Sequence, residues 1–269
     1  IMLGSIFVDS LGSRFEYNNI KSKDFELMTE DCFVTDDTVL TLAVCDALLN
    51  LENDLETATA QSLRIFSRRY ADKDYGDGFR RWMLSDEAQA YGSFGNGAAM
   101  RVSACSIAAQ TLEEAKHMSD AVTAPTHNHP EGMKGAQATA VAGFLAKTGL
   151  EKTDIEKYIN QNYYPMGFTL DEIRPTYRYE GSCQGSVPFA LKAFFESDSF
   201  EDAIRNAVSI GGDSDTLAAI TGGVAGIYYG VDRQIAEKAL SYLDDFQKDV
   251  MVRFEKAFNH QNNLCTFQV

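Results

Sequence analysis

"IGGDSDTLAAITGGVAGIYYG", residues 210–230, sets Asp213, Asp215 and Thr216 between a glycine pair and an almost wholly apolar run. Acids two residues apart do not share a helix face. Both reach one target only from a turn or from the first helical positions. Gly211 and Gly212 permit such a turn, because glycine tolerates positive φ and lets backbone approach closely. From residue 216 to 230 the segment is apolar on every side, the pattern of a helix through a core. Gly222, Gly223 and Gly226 each cost that helix about 1 kcal/mol against alanine, so close helix packing is expected to compensate.

Outward from this segment, helical periodicity dominates. In "TVLTLAVCDALL", Leu40, Ala43, Val44, Ala47 and Leu48 follow the spacing of one helical face. Thr111 with Glu114, and Thr153 with Glu156, have capping-box spacing. Pro188 suits a first helical turn before "FALKAFFES". Ile235, Ala239, Leu243, Phe246, Val250, Phe254 and Phe258 predict one long C-terminal helix. Between residues 162 and 186 the periodicity fails, which predicts a long ordered loop. No linker, repeat or low-complexity stretch interrupts the chain. The expected fold is all-α, a single compact orthogonal helical domain over residues 1–269.

Composition excludes several functions. A net charge of -15 argues against a nucleic-acid backbone as partner, since phosphate binding needs clustered Lys and Arg. Cys32, Cys45, Cys105, Cys183 and Cys265 are odd in number and widely spaced, without a CxxC pair. Neither a disulfide framework nor a thiolate zinc site is signalled, and a reducing cytoplasm suits the pattern. The opening "IMLGSIFVDSLG" lacks a basic n-region and contains an aspartate, unlike a secretory signal. No run approaches the length of a membrane span.

A second acidic cluster answers the first. "VTDDTVL" places Thr35, Asp36, Asp37 and Thr38 immediately before an apolar helix, as Asp213, Ser214, Asp215 and Thr216 stand before theirs. Either cluster alone reads as helix capping, since Asp and Thr suit N-caps and the dipole. If the two helix starts meet, four carboxylates converge, which is unfavourable unless cations neutralise them. Two divalent ions balance four aspartates. An all-oxygen donor set selects Mg²⁺, Mn²⁺ or Ca²⁺ over zinc. The scarcity of histidine (His117, His127, His129 and His260) points the same way.

The chain resembles the ADP-ribosylglycohydrolases, the family that includes the dinitrogenase-reductase-activating glycohydrolase and the ADP-ribosyl-acceptor hydrolases. "MLGSIFVDSLGSRFE", "TDDT", "GNGAAMRV", "THNHPEGMKGAQA" and "GGDSDTLAAITGGVAGIYYG" stand in the order of that family's motifs, through nearly the whole chain. The resemblance implies the family's all-α fold, two Mg²⁺ or Mn²⁺ ions, and removal of ADP-ribose from an ADP-ribosylated protein or other acceptor. Carried over by position, Thr35, Asp36, Asp37, Asp213, Asp215 and Thr216 match metal ligands. Glu16 matches a glutamate implicated in catalysis, with Asp37 and Asp215 beside it at the reacting centre. Gly95, Asn96, Gly97 and Ala98 match the loop near the ADP-ribose diphosphate, and His127 a position beside the nucleotide. Val8 departs from the glycine that commonly precedes the acid matched by Asp9.

The residues themselves leave alternatives open. Three glycines in "GSFGNGAAMRVS" suit a backbone nest for phosphate oxygens, or a plain turn. Arg101 suits phosphate or an acidic neighbour equally. His127 and His129 suit a nucleotide-contacting loop, a structural role, or less readily a metal. Gln184 and Ser186 suit caps or substrate contacts. Rival functions are a metal-dependent nucleotide phosphoesterase, a non-catalytic ADP-ribose binder, and a helical interaction protein whose acids are only caps.

Overall fold

The structure is a computed structural model that describes residues 3–50 and 54–258; His260 and Cys265 lie outside the described residues. It contains α1 (Leu3–Gly12), α2 (Asp36–Leu49), α3 (Leu55–Arg69), α4 (Asp77–Met83), α5 (Ser103–Ala108), α6 (Leu112–Thr123) and α7 (Pro130–Lys147). There follow α8 (Lys152–Asn162), α9 (Leu170–Ile173), α10 (Cys183–Phe195), α11 (Phe200–Ser209), α12 (Ser214–Tyr229), α13 (Arg233–Tyr242) and α14 (Asp245–Phe258). Ser13–Phe15 and Asn96–Ala98 are single 3₁₀ turns. Among the described residues there is no strand, only an isolated bridge between Gly95 and Ser182. The chain is all-α, as its periodicity predicts.

Helix α12 is the axis of the fold. Every residue from Ser214 to Gly226 is buried, and α1, α7, α10 and α11 pack around it. Its contact with α1 is backbone against backbone. A Cβ on Gly4 would lie 2.7 Å from the Gly222 carbonyl oxygen, and one on Gly12 would lie 2.6 Å from Asp215 Cα. Gly4, Val8 and Gly12 share one face of α1 by their spacing of four. The glycines of α12 receive that face, which offsets their helix cost. Val8 sits in the notch at Gly222, where a Cβ would come within 2.6 Å of its Cγ2. The departure at Val8 is thus absorbed by its partner helix. Thr221 Oγ1 donates to the Ala190 carbonyl at 2.8 Å and ties α12 to α10. One contiguous buried apolar cluster extends from Ile6 to Phe254.

Several local expectations are corrected. Helix α2 is buried on nearly all sides, Val39 and Leu42 included, rather than along one face. Glu151, not Thr153, occupies the N-cap of α8, and Glu156 instead accepts from Lys192 at 2.7 Å. At α6 the Thr111 hydroxyl accepts from Glu114 N, but the Glu114 carboxylate turns to Gln110 N. Pro188 lies inside α10, because Ser182 caps that helix earlier by accepting from Gly185 N. The predicted loop of residues 162–186 contains α9, closed by a capping box between Thr169 and Glu172. The long C-terminal helix is two. Asp244 starts α14, accepting from Gln247 N at 2.9 Å while its own N–H donates to Gln247 Oε1. That reciprocal pair is a helix start written inside a helical period.

Candidate functional site

The starts of α2 and α12 meet, so the two acidic clusters converge. Thr35 caps α2, its hydroxyl accepting from Asp37 N at 3.2 Å. Asp213 holds the N-cap position of α12 but makes no capping bond. Its Oδ2 accepts from Asn96 Nδ2 at 2.8 Å instead. Gly211 and Gly212, at φ 67° and 81°, supply the left-handed turn that delivers Asp213. Thr216 Oγ1 donates to Asp37 Oδ2 at 3.3 Å and joins the two helix starts.

Two acid triads share Asp215. Carboxylate oxygens of Glu16, Asp213 and Asp215 lie within 4.8 Å of one another, as do those of Asp9, Asp37 and Asp215. Asp36 lines the same cleft but belongs to neither triad. Asp9 is the functional residue that motif spacing left unassigned. In the sequence it is matched to a motif acid without a role, and it stands inside an apolar helix, "IFVDSLG". It is fully buried and accepts from Thr35 Oγ1 at 2.6 Å, Thr35 N at 3.3 Å, Thr38 N at 3.2 Å and the Thr38 hydroxyl. Thr35 therefore engages Asp9 rather than standing free.

Burial and mutual repulsion push the acids toward their neutral forms. Asp9 rises to about 6, by burial against opposing threonine bonds. Asp36 rises to about 8 through burial and then the charge of Asp9. Asp37 and Asp215 are driven well above the carboxylate range by burial first, then by neighbouring aspartates. Burial also raises Asp213, against the bond from Asn96. Half-buried Glu16 rises to about 7, chiefly by desolvation, with Asp213 among the charges that add to it.

The donor set fits a hard cation. Asp37 Oδ1 and Asp215 Oδ1 are buried without a hydrogen-bond partner. An orphaned buried carboxylate oxygen is costly unless a proton or cation meets it. Asp9 differs, since both its oxygens already accept bonds from Thr35 and Thr38. The side chains are all oxygen donors, and the described residues contain no corresponding group with His or Cys. Cys32, Cys45, Cys105 and Cys183 are buried free thiols.

The cleft has a volume of about 480 Å³ and runs from these acids to the glycine loop. Gly95, Asn96 and Gly97 line it together with Arg101 and His127, while Ala98 is fully buried beneath. The loop is clamped to the start of α10. Asn96 N donates to the Gly181 carbonyl, Cys183 N to the Phe94 carbonyl, and Cys183 Sγ to the Gly95 carbonyl. His127 is buried behind it and held well below the usual imidazole range, first by desolvation and then by Arg101. His129 does not face a metal; it caps α7 by accepting from Glu131 N at 3.1 Å. Arg101 is fully buried and forms no ion pair among the described residues, which settles against an acidic neighbour. Gln184 and Ser186 lie within α10, outside the lining of the cleft.

The mouth carries residues that the motifs did not mark. Tyr17 and Tyr179 line it, and Tyr17 Oη donates to Asp74 Oδ2 at 2.7 Å. A larger groove of about 660 Å³ beside α3 holds no acid triad, and its Arg64 is turned onto the Ser85 and Ala88 carbonyls. No described helix is long and apolar enough to cross a membrane.

Comparison with known proteins follows this geometry. The family model described as ADP-ribosylglycohydrolase matches residues 1–264. ADP-ribosylhydrolase ARH3 of Homo sapiens is 26% identical over 265 residues, spanning 76% of this chain and 73% of that protein. The ADP-ribosyl-[dinitrogen reductase] glycohydrolase of Rhodospirillum rubrum is 28% identical over 229 residues, 78% of this chain and 74% of that one. ADP-ribosylarginine hydrolase Tri1 of Serratia proteamaculans (strain 568) is 30% identical over 146 residues, 51% of this chain and 39% of its own. In fold, the chain is similar to the solved "ADP-ribosylglycohydrolase-related protein complex", with a TM-score of 0.71 at 21% identity. That alignment covers 96% and 95% of the two chains.

Proposed function

Because this chain belongs to the ADP-ribosylglycohydrolase family, we propose that it hydrolyses the glycosidic bond between ADP-ribose and a modified acceptor, releasing ADP-ribose. Residues 1–269 act as one unit in this reaction. The carrying observation is the pair of orphaned buried oxygens, Asp37 Oδ1 and Asp215 Oδ1, at the acid end of a cleft whose other end is a glycine loop. Asp36, Asp37, Asp213 and Asp215, with Thr35 and Thr216 alongside, would hold two divalent cations, Mg²⁺ or Mn²⁺. Such ions neutralise clustered carboxylates, polarise hydroxyls and lower the pKa of water.

The protein groups divide the remaining work. Breaking the bond at the distal ribose builds oxocarbenium character at C1. Glu16 stands beside Asp213 and Asp215, half in solvent, and accepts a proton from the attacking water or a ribose hydroxyl. With cations bound beside it, their charge favours the ionised carboxylate, the form that accepts a proton. Asp9 keeps the start of α2 in register by holding Thr35 and Thr38. Asn96 links the glycine loop to Asp213, so diphosphate binding and the acid cluster are positioned as one frame. The net negative charge and acid-lined mouth make an ADP-ribosylated protein a better partner than a nucleic-acid backbone.

The test incubates the protein with arginine-linked and serine-linked ADP-ribosyl peptides, with Mg²⁺, with Mn²⁺ or with chelator. Free ADP-ribose released only in the presence of a cation is expected, and the preferred peptide identifies the acceptor. Release of phosphate instead, or no product from either linkage, would overturn the proposal.

A further inference from the structure

Arg101 presents a problem that the hydrolytic site does not use. A guanidinium with no exposed surface and, among the described residues, no carboxylate partner is unfavourable unless its bonds do something specific. One of its nitrogens, Nη2, donates to Thr126 Oγ1 at 2.7 Å and more weakly to the Val122 carbonyl at 3.3 Å. Thr126 is itself fully buried, and among the described residues its hydroxyl has one other partner, His127 Nδ1, at 2.7 Å. These two contacts determine where the protons lie. Arginine can only donate. The Thr126 oxygen therefore accepts from Arg101 and its single hydrogen needs an acceptor. His127 Nδ1 is the available one, since an Nδ1–H there would leave the buried hydroxyl hydrogen unpaired.

We infer that Arg101 and Thr126 are positioning residues that lock His127 as the neutral Nε2–H tautomer, so that Nε2–H is presented to the glycine loop as a donor. The loop geometry agrees. His127 Nε2 lies 3.5 Å from where a Cβ on Gly97 would sit and 3.6 Å from that of Gly95. Among the described residues no acceptor bonds to Nε2, and His127 lines the cleft. Burial and the adjacent Arg101 charge both oppose protonation of the ring. The acceptor that this donor suits is an oxygen of the ADP-ribosyl group held by Gly95, Asn96 and Gly97. That part of the inference rests on the function proposed above. The opposite tautomer would turn a nitrogen lone pair toward that oxygen and repel it.

The hydrogen-bond assignment is testable without substrate. In protein labelled with ¹⁵N at histidine, long-range ¹H–¹⁵N correlation at neutral pH distinguishes a protonated ring nitrogen from an unprotonated one. The His127 signals are assigned by their loss in His127→Gln. A protonated Nε2 with an unprotonated Nδ1 is expected. A protonated Nδ1, as the other tautomer or as imidazolium, would overturn the inference while leaving the hydrolase proposal untouched. Thr126→Val should give mixed tautomers and weaken ADP-ribose by about tenfold in calorimetry. Thr126→Ser keeps the hydroxyl and should restore both readouts. Unchanged tautomer and affinity in Thr126→Val would likewise overturn it. Wild-type protein showing Nε2–H but no affinity for ADP-ribose would support the relay and refute the nucleotide assignment alone.

Discussion

Thr35, Asp36, Asp37 and Thr38 at the start of α2 nearly repeat Asp213, Ser214, Asp215 and Thr216 at the start of α12, yet the fold holds the two ends by different means. The α2 end is tied from beneath: Asp9 grips both threonines, and Thr35 caps the helix. The α12 end is braced differently, by Asn19, which accepts from Gly212 N at 2.7 Å and donates to the Gly212 carbonyl at 2.9 Å. Its N-cap acid bonds sideways to Asn96, its turn rests on two left-handed glycines, and its side chains face Glu16. Similar residues at two helix starts therefore carry different duties. One end is held by a buried acid; the other is held by an amide on the preceding turn and sets its acids beside Glu16.

The largest effect expected from this division is at Glu16. Glu16→Gln should lower turnover by roughly 10² to 10⁴, as for a lost acid–base group, while ADP-ribose binding stays within about tenfold. Melting temperature should not fall, because the native site already favours a neutral group there. Wild-type turnover in this variant would remove Glu16 from the mechanism.

Asp215→Asn comes next, with a loss of turnover on the order of 10² and a smaller thermal response to Mg²⁺. In chelator the variant should be as stable as wild type or more so, since one repelling charge has gone. A residue that merely suited a helix start would behave otherwise, because Asn replaces Asp well at such positions. Stability, Mg²⁺ response and turnover all near wild type would show that the α12 acids are caps and nothing more.

Asp9 sharpens the contrast through stability. Asp9→Ala leaves the buried hydroxyls of Thr35 and Thr38 without their acceptor and should cost about 2–4 kcal/mol. In thermal unfolding that is a drop of roughly 5–15 °C. Asp9→Asn retains an acceptor and sheds charge, so it should cost clearly less. Equal losses from both variants would mean that the side chain acts by its volume and not by its bonds.

The remaining expected effect is the pH dependence of the metal-free protein. Acids raised in the folded state bind more protons there than in the unfolded chain, so stability is fully present below their unfolded values and is lost as pH rises. With Asp9 at about 6, Glu16 at about 7 and Asp36 at about 8, the chelated protein should lose melting temperature steadily between pH 4 and 8. Mg²⁺ at a hundred times its dissociation constant adds about 2.7 kcal/mol for each site filled, or roughly 5–10 °C per site. It should also flatten the slope. A chelated melting curve that rises with pH would contradict the converging acids.

The local elements show where sequence reading reaches its limit. The burial of α12 followed from apolar residues on every side, and the Gly211–Gly212 turn from the need to deliver Asp213. The single C-terminal helix failed because an unbroken apolar period hid the Asp244 and Gln247 pair. Pro188 misled because a proline suited to a first turn outweighed Ser182, the residue that caps the helix.

The helical class, the two acidic helix starts, the all-oxygen donor set and the glycine loop are legible in neighbouring residues, through helical period, cap chemistry and side-chain type. Tertiary structure alone decided which oxygens are left without partners. Asp9 meets Thr35 across 26 positions, Asn96 meets Asp213 across 117 and Thr216 meets Asp37 across 179. Bonds of that span decide which carboxylate is filled by protein donors and which keeps an unpaired oxygen. The physical reason is that a carboxylate has only a few acceptor sites, and the packing of α1 on α12 determines which donors come near enough to fill them.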